Sequence, residues 1–234
     1  MNGSDSGVNG SPAGGRRRIM IVDDHPLVRQ GLAAVINRQP DLFVEWEAST
    51  AAEALAILEA NRPDLIVVDI VLNETNGVEL IKTIHVLDGN LRMLALSMHD
   101  ESLFAERVMR AGARGFVMKQ ESVETLLQAI RKVADGNIWV AERINNTLLR
   151  EMFENRQNQA GPVKTGLASL SDRELEIYEL IGLGLSTKDI ARRLHLGNKT
   201  VETHRAGIKI KLKFKTALEL VRNATLWVAG GKRI

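Results

Sequence analysis

The run Pro63-Asp64-Leu65-Ile66-Val67-Val68-Asp69-Ile70 decides how the first half of the chain is read. Four consecutive aliphatic residues without polar alternation predict a strand buried on both faces, as in a parallel sheet covered by helices. The strand at Leu65–Asp69 nevertheless ends on a carboxylate. An ionised Asp at the mouth of an apolar core is costly unless something compensates its charge. Asp69 therefore requires a partner.

Outward from this run, strand-like and helix-like segments alternate. Further strands are predicted at 19–22, 43–47, 93–97 and 115–118, and helices at 26–38, 50–61, 77–87, 102–111 and 122–134. Pro26 suits a first helical turn, and Ser102 and Ser122 suit the caps of the helices they open. Five βα units of this length predict an α/β fold, a doubly wound five-stranded parallel sheet with helices on both faces. In such sheets ligand-handling residues collect at the carboxyl ends of the strands.

The chain has 234 residues, enough for two ordinary domains. It has no cysteine, which excludes disulfides, thiolate catalysis and Cys-based zinc sites and fits a reducing cytosol. No apolar run approaches the roughly 18–20 residues of a membrane span, so a cytoplasmic protein without membrane contact is expected. Residues 1–15, MNGSDSGVNGSPAGG, lack the apolar middle of a secretory signal and read as a disordered tail. Residues 16–136 hold 14 Lys and Arg against 18 Asp and Glu, whereas residues 167–234 hold 13 against 7. An acidic half is thus joined to a half suited to a polyanion. Between them, residues 137–166 read as a linker with a possible helix over 139–156, followed by the Gly- and Pro-broken stretch NQAGPVKTG. Four short helices are predicted beyond it, at 172–182, 187–194, 199–212 and 216–228. Ser171 with Glu174 and Ser186 with Asp189 form capping patterns for two of them.

The strand ends of the first half carry Asp23 and Asp24, Asp69, Ser97 and Lys119. Parallel strands bring these ends to one edge, so three carboxylates, a hydroxyl and an ammonium converge. Clustered carboxylates repel one another unless a cation sits among them, and an all-oxygen donor set favours Mg²⁺. Mg²⁺ draws a phosphoryl donor, whose charge Lys119 and Ser97 help to neutralise. An Asp carboxylate acts as a nucleophile toward phosphorus and yields an acyl phosphate.

With these residues in place, 17–135 resembles the receiver domain of bacterial two-component response regulators, whose sheet is flavodoxin-like. The resemblance rests on Asp23 and Asp24, Asp69 after its apolar strand, Gly77 eight residues on, Ser97 and Lys119. It implies that Asp69 accepts a phosphoryl group from a sensor histidine kinase. It also implies that Asp24 and Asp69 ligate Mg²⁺, Asp23 more indirectly, with the backbone carbonyl of Val71 as a further ligand. Ser97 and Phe116 would be the residues that shift on phosphorylation. Many such domains carry Pro four residues after the acceptor, where this chain has Asn73. A change in phosphate lifetime or Mg²⁺ geometry is expected from it, since proline restricts the backbone.

In the basic half, STKDIARRL, HLGNK and TVETHRAGIKIKL read as supporting helix, turn and recognition helix. At helical period Val201, His204, Ile208 and Leu212 share one arc, while Lys199, Glu202, Thr203, Arg205, Ala206, Lys209 and Lys213 share the opposite one. Such a helix suits the major groove. Lys and Arg would mostly position the domain on phosphates. Base reading falls to Lys199, Glu202 and Thr203, with Ala206 free to meet a thymine methyl and Glu202 able to accept from cytosine N4. Residues 167–229 resemble the DNA-binding domain of the NarL/FixJ (LuxR-type) regulators through Leu170, Arg173, Glu174, Gly184-Leu185-Ser186, Lys188, Ile190-Ala191, Leu194, Thr200-Val201, His204, Ile208 and Lys211-Leu212. Lys188 and Thr200 join the DNA-facing set through that likeness. Gly197 stands where Ser is frequent at the helix cap, and Gly207 lies inside the helix, allowing close approach of backbone or phosphate. Ala217, Leu220, Val221, Ala224, Trp227 and Val228 form the apolar face of the last helix, which in similar regulators mediates dimerisation. A phosphorylated homodimer on inverted half-sites of double-stranded DNA is the expectation.

The resulting expectation is a phosphorylation-switched transcriptional regulator and not an enzyme, beyond self-phosphorylation from small phosphodonors and its reversal. Two alternatives stand beside it. A Mg²⁺-dependent phosphohydrolase with an Asp nucleophile would need an acid two residues after Asp69, where Val71 stands. The helical half would otherwise be a protein-interaction module that binds no duplex.

Overall fold

Leu65–Asp69 is β3, with every residue buried, and it lies in the middle of a five-stranded parallel sheet. The structure is a computed structural model that describes residues 15–72, 76–98, 101–140 and 166–229, with the backbone alone for 101–103. The other strands are β1 (Arg17–Val22), β2 (Leu42–Ala48), β4 (Met93–Ser97) and β5 (Gly115–Met118), in the order β2-β1-β3-β4-β5. The helices between them are α1 (Pro26–Asn37), α2 (Ala51–Ala60), α3 (Gly77–Leu87), α4 (Glu101–Ala111) and α5 (Val123–Ala134).

Successive residues of a strand point to opposite faces, and the core divides accordingly. Met20, Val22, Ile66, Val68 and Ala95 pack with buried residues of α2, α3 and α4. Ile19, Ile21, Leu65, Val67 and Leu94 pack with those of α1 and α5. The strand edges deviate slightly from expectation, because β1 and β2 extend one or two residues further at their ends. Thr50 and Ser122 cap α2 and α5, accepting from the N–H of Glu53 and Thr125. α4 already begins at Glu101, so Ser102 lies inside the helix and not at its N-cap position.

Beyond the sheet, a 3₁₀ turn at Gly166–Ser169 leads into α6 (Asp172–Gly182), α7 (Thr187–Arg193), α8 (Asn198–Lys211) and α9 (Ala217–Ala229). Ser171 and Glu174 close a full capping box on α6. At α7 the box stays open. Ser186 accepts from the Asp189 N–H, but its hydroxyl then donates to the Asp189 carboxylate at 2.6 Å. Asp is one methylene shorter than the Glu of a full box. Leu175, Ile181, Ile190, Val201, Ile208, Leu220 and Ala224 form the core of these helices, and the Tyr178 and Trp227 rings meet at 5.5 Å. Trp139 follows α5 and binds the outer edge of β5. Its N–H donates to the Arg114 carbonyl, and its own carbonyl accepts from the Phe116 N–H. Residues 141–165, which hold most of the expected linker and its helix, and Asn73 lie outside the described residues. Among the described residues no helix is long and apolar enough to cross a membrane.

Candidate functional site

Adjacent parallel strands explain why the carboxylates meet. β1 runs directly into Asp23 and Asp24, β3 ends at Asp69, and Lys119 follows β5. The Lys119 ammonium donates to Asp23 Oδ2 and to Asp69 Oδ2, both at 2.7 Å. Asp23 Oδ1 accepts from the His25 N–H at 2.8 Å, and Asp69 Oδ1 from the Val71 N–H at 3.2 Å. Asp24 Oδ1 is buried and takes no hydrogen bond from the described residues, although His25 Nδ1 lies 2.7 Å from it. Asp23, Asp24, Asp69 and His25 each bring a ligand atom within 4.8 Å of the others. Three carboxylates thus face one ammonium, and one buried oxygen lacks a donor. That arrangement fits a hard divalent cation. His25 enters the cluster by following Asp24 in the loop, a position the reading of strand ends overlooked.

Burial pushes the Asp69 carboxyl up to about 6, with the Lys119 charge opposing and the Asp23 charge adding to the rise. For Lys119 burial works the other way, but the Asp69 charge and the bond to Asp23 outweigh it and raise the ammonium above its usual range. At neutral pH the pair is ionised, and Asp69 is a carboxylate with nucleophilic oxygens. Ser97 is fully buried at the end of β4, and its carbonyl accepts from the Lys119 N–H at 2.7 Å. Phe116 is buried in β5. Phe116 also lines a pocket of about 180 Å³, with Met118, Thr125, Trp139 and Val140. Gly77 has a steric reason to be glycine. A Cβ there would lie 2.0 Å from the Asp69 carbonyl oxygen, so any side chain would push α3 off the end of β3.

Arg29 of α1 is a second residue that strand-end reasoning missed. Its guanidinium donates to the Asp23 carbonyl at 2.6 Å and to Glu47 Oε2 at 3.1 Å, so it pins the loop that carries Asp23 and Asp24. Partners of this kind typically contribute about 10- to 100-fold in metal affinity. Arg29→Ala should weaken divalent-cation binding by about tenfold in calorimetric titration while the far-UV spectrum stays the same. An unchanged affinity would show that the loop holds itself.

In the basic half, Val201 and Ile208 are buried as the arc predicts, and His204 and Leu212 are half-buried. Burial, and then the Arg173 charge, depress the His204 imidazole below its usual range, so it stays neutral as a packing residue. Lys188, Lys199, Thr200, Glu202, Thr203 and Ala206 are exposed and Lys209 is half-buried. Arg205 departs from the predicted outward arc, because its side chain is only 15% exposed and lies 3.7 Å from Glu202. Gly207 admits neither backbone nor phosphate. A Cβ there would meet Glu174 Oε1 at 2.8 Å, and Glu174 also accepts from Lys211 at 2.5 Å. The apolar face assigned to α9 splits in two. Leu220, Ala224 and Trp227 are buried against the other helices and cannot meet a second chain. Val228 is half-buried, while Ala217 and Val221 stay exposed beside Leu218 and Leu226. Both stripes are apolar, so periodicity alone could not say which one the domain keeps for itself.

The two halves face each other across the carboxylate site. A cleft of about 480 Å³ is lined by Asp24, His25, Asp69, Lys119 and Val71 from the sheet side and by Glu176, Leu180, Arg193 and Leu194 from the helical side. Beside it, Arg107 of α4 donates to Asp172 at 2.8 Å and to the carbonyls of Leu170 and Leu167 at 2.8 and 3.0 Å. Lys82 of α3 donates to the other oxygen of Asp172 at 3.3 Å.

Residues 19–131 match the family model of the response regulator receiver domain, and residues 168–224 match that of the bacterial regulatory proteins of the luxR family. The oxygen regulatory protein NreC of Staphylococcus carnosus is 32% identical over 209 residues, which cover 88% of this chain and 96% of that protein. Its counterpart in Staphylococcus aureus strain MRSA252 is 34% identical with the same coverage. Among solved structures, a LuxR-family two-component response regulator from Aurantimonas sp. SI85-9A1 is 36% identical and covers 61% of this chain and 99% of its own, at a TM-score of 0.53. The RcsB response regulator of Salmonella typhimurium shares the fold at 21% identity, covering 90% of this chain and 98% of its own, at a TM-score of 0.61.

Proposed function

The chain belongs to the response regulators that join a receiver domain to a LuxR-type helix-turn-helix, the NarL/FixJ family, and from that premise we propose that Asp69 is its phosphoacceptor. The protein is a phosphorylation-regulated, DNA-binding transcription factor. The observation that carries the site assignment is the Lys119 ammonium bridging Asp23 and Asp69, with buried Asp24 Oδ1 left without a donor.

In this reading an Asp69 carboxylate oxygen attacks the phosphorus of a phosphohistidine on a sensor kinase, or of a small acyl phosphate. The P–N or P–O bond of the donor breaks, an acyl phosphate forms, and the released histidine nitrogen takes a proton from water. Asp23, Asp24, Asp69 and the Val71 carbonyl would hold Mg²⁺, which supplies charge neutralisation at the transferring phosphoryl oxygens. Lys119 sits against Asp69 from the other side, and Ser97 is the hydroxyl that turns toward the phosphoryl oxygens, with Phe116 following. The acyl phosphate then carries about two negative charges where the carboxylate carried one, in a cleft to which α6 contributes the buried Glu176 carboxylate. Repulsion there favours release of the helical domain. The released domain binds double-stranded DNA in the cytoplasm through Lys188, Lys199, Thr200, Glu202, Thr203, Ala206 and Lys209. It pairs with a second copy through the exposed stripe of α9 around Ala217, Leu218 and Val221.

Duplex selection with the full chain tests this, with and without acetyl phosphate and Mg²⁺. The phosphodonor should tighten binding. A dimer making about six phosphate contacts should lose affinity with salt on a log–log slope of roughly −5. Binding indifferent to both phosphodonor and salt would sink the reading.

A further inference from the structure

The geometry points to Glu202 as the residue that selects a cytosine in the target duplex, held in reading position by Thr187 and screened by Arg205. The assignment rests on α8 being the helix that enters the major groove. Glu202 lies in the second turn of α8 with its side chain 60% exposed. Its Oε1 accepts from the Thr187 hydroxyl, which reaches across from the first turn of α7 at 2.6 Å. Arg205 Nε lies 3.7 Å from the same oxygen. Oε2 takes no hydrogen bond from the described residues and is free to point outward.

An unsupported Glu on a DNA-facing surface has two handicaps, phosphate repulsion and the loss of side-chain freedom on binding. Here both are reduced in advance. The Thr187 bond fixes the rotamer, and the mostly buried Arg205 places positive charge behind the carboxylate. What remains outward is an acceptor without a proton to donate. In the major groove guanine offers N7 and O6 acceptors and thymine offers O4 and a methyl group, so neither pairs with it. Adenine offers its N6 donor beside the N7 acceptor, which repels a carboxylate. Cytosine offers the N4 donor without that neighbour. The triad therefore favours cytosine over the other three bases, and the geometry adds a reason for Thr187 that its place in the first turn of α7 does not supply.

Selection from a random duplex library, using the full chain with acetyl phosphate, tests the assignment. The wild type should enrich one cytosine in each half-site, and replacing that base should weaken binding on the order of tenfold. Glu202→Gln should shift the same position toward adenine, whose N6 and N7 match an amide. Thr187→Ala should keep the cytosine but relax the preference several-fold, and Thr187→Ser should restore it, with melting temperatures unchanged in all three. Enrichment of the same cytosine by Glu202→Gln would overturn the assignment to Glu202 alone. Failure of the wild type to enrich any duplex would overturn the reading of α8 and this inference with it.

Discussion

Asp69→Ala should take up no phosphoryl group from acetyl phosphate and Mg²⁺, while the wild type forms a hydroxylamine-sensitive acyl phosphate. The expected loss is complete, because no other carboxylate at this edge is equally placed. Asp23 already accepts at both oxygens from the His25 N–H and Lys119, and the assignment gives Asp23 and Asp24 to the cation. The variant should also fold. Lys119 keeps Asp23 at 2.7 Å, and the lost carboxylate is one that the fold itself disfavours. Burial holds its pKa near 6, against an ordinary 3.8. Between those two values the folded cation-free chain binds more protons than the unfolded one. Stability from this group is therefore present below about pH 4 and lost as pH rises through about 6, a swing of about 2–3 kcal/mol. Asp69→Ala should lack that part of the slope in denaturant titrations across the window. Label on Asp69→Ala at the wild-type rate would move the acceptor elsewhere.

Much of this site was legible because a parallel sheet converts chain order into spatial order. Once Leu65–Asp69 is read as a doubly buried strand, the residues after β1, β3, β4 and β5 must share an edge, and their chemistry can be read off directly. Most helix starts were legible for a similar reason, since Ser122, Ser171 and Ser186 bind N–H groups three residues away, whereas Ser102 lies inside α4 and the Thr50 cap was not foreseen. Side chains that act across elements left no such trace. Arg29 reaches the Asp23 carbonyl from the first turns of α1, and a lone Arg on an amphipathic helix carries no mark of that. Gly207 looked like an opening toward DNA, yet it faces Glu174, 33 positions earlier in the chain. On α9 the pattern located apolar residues without separating the stripe packed on α6 from the stripe left outside. Arg205 has the composition of a phosphate contact but is drawn inward beside Glu202.

The contact between the halves was the least legible feature, and cutting it should have the second-largest effect. Arg107→Ala removes three hydrogen bonds at once, to Asp172, Leu170 and Leu167. It leaves the Asp172 carboxylate, 9% exposed, with Lys82 as its partner from the receiver side. Breaking one side of a buried ion pair typically costs about 3–5 kcal/mol. Lys82 and incoming water offset part of that here, so about 2–3 kcal/mol should be lost from the closed arrangement. That is roughly a 30- to 150-fold shift toward separated domains. Small-angle scattering of the unphosphorylated chain should then show a larger radius of gyration. Amide exchange should quicken at the start of α6 but not in β3. The thermal stability of the helical domain should stay the same, because Arg107 belongs to α4 of the receiver. Asp172→Ala also releases Lys82 but leaves Arg107 its bonds to Leu170 and Leu167, so it should open the chain less, and the double variant should fall short of the sum because the two share the Arg107–Asp172 contact. A scattering profile identical to wild type in a folded Arg107→Ala chain would mean that the surfaces lining the cleft, with Leu180 and Leu194 on the helical side, hold the halves together. The charge that phosphorylation brings to the cleft would then have to separate those surfaces, with Glu176 as the group it acts on.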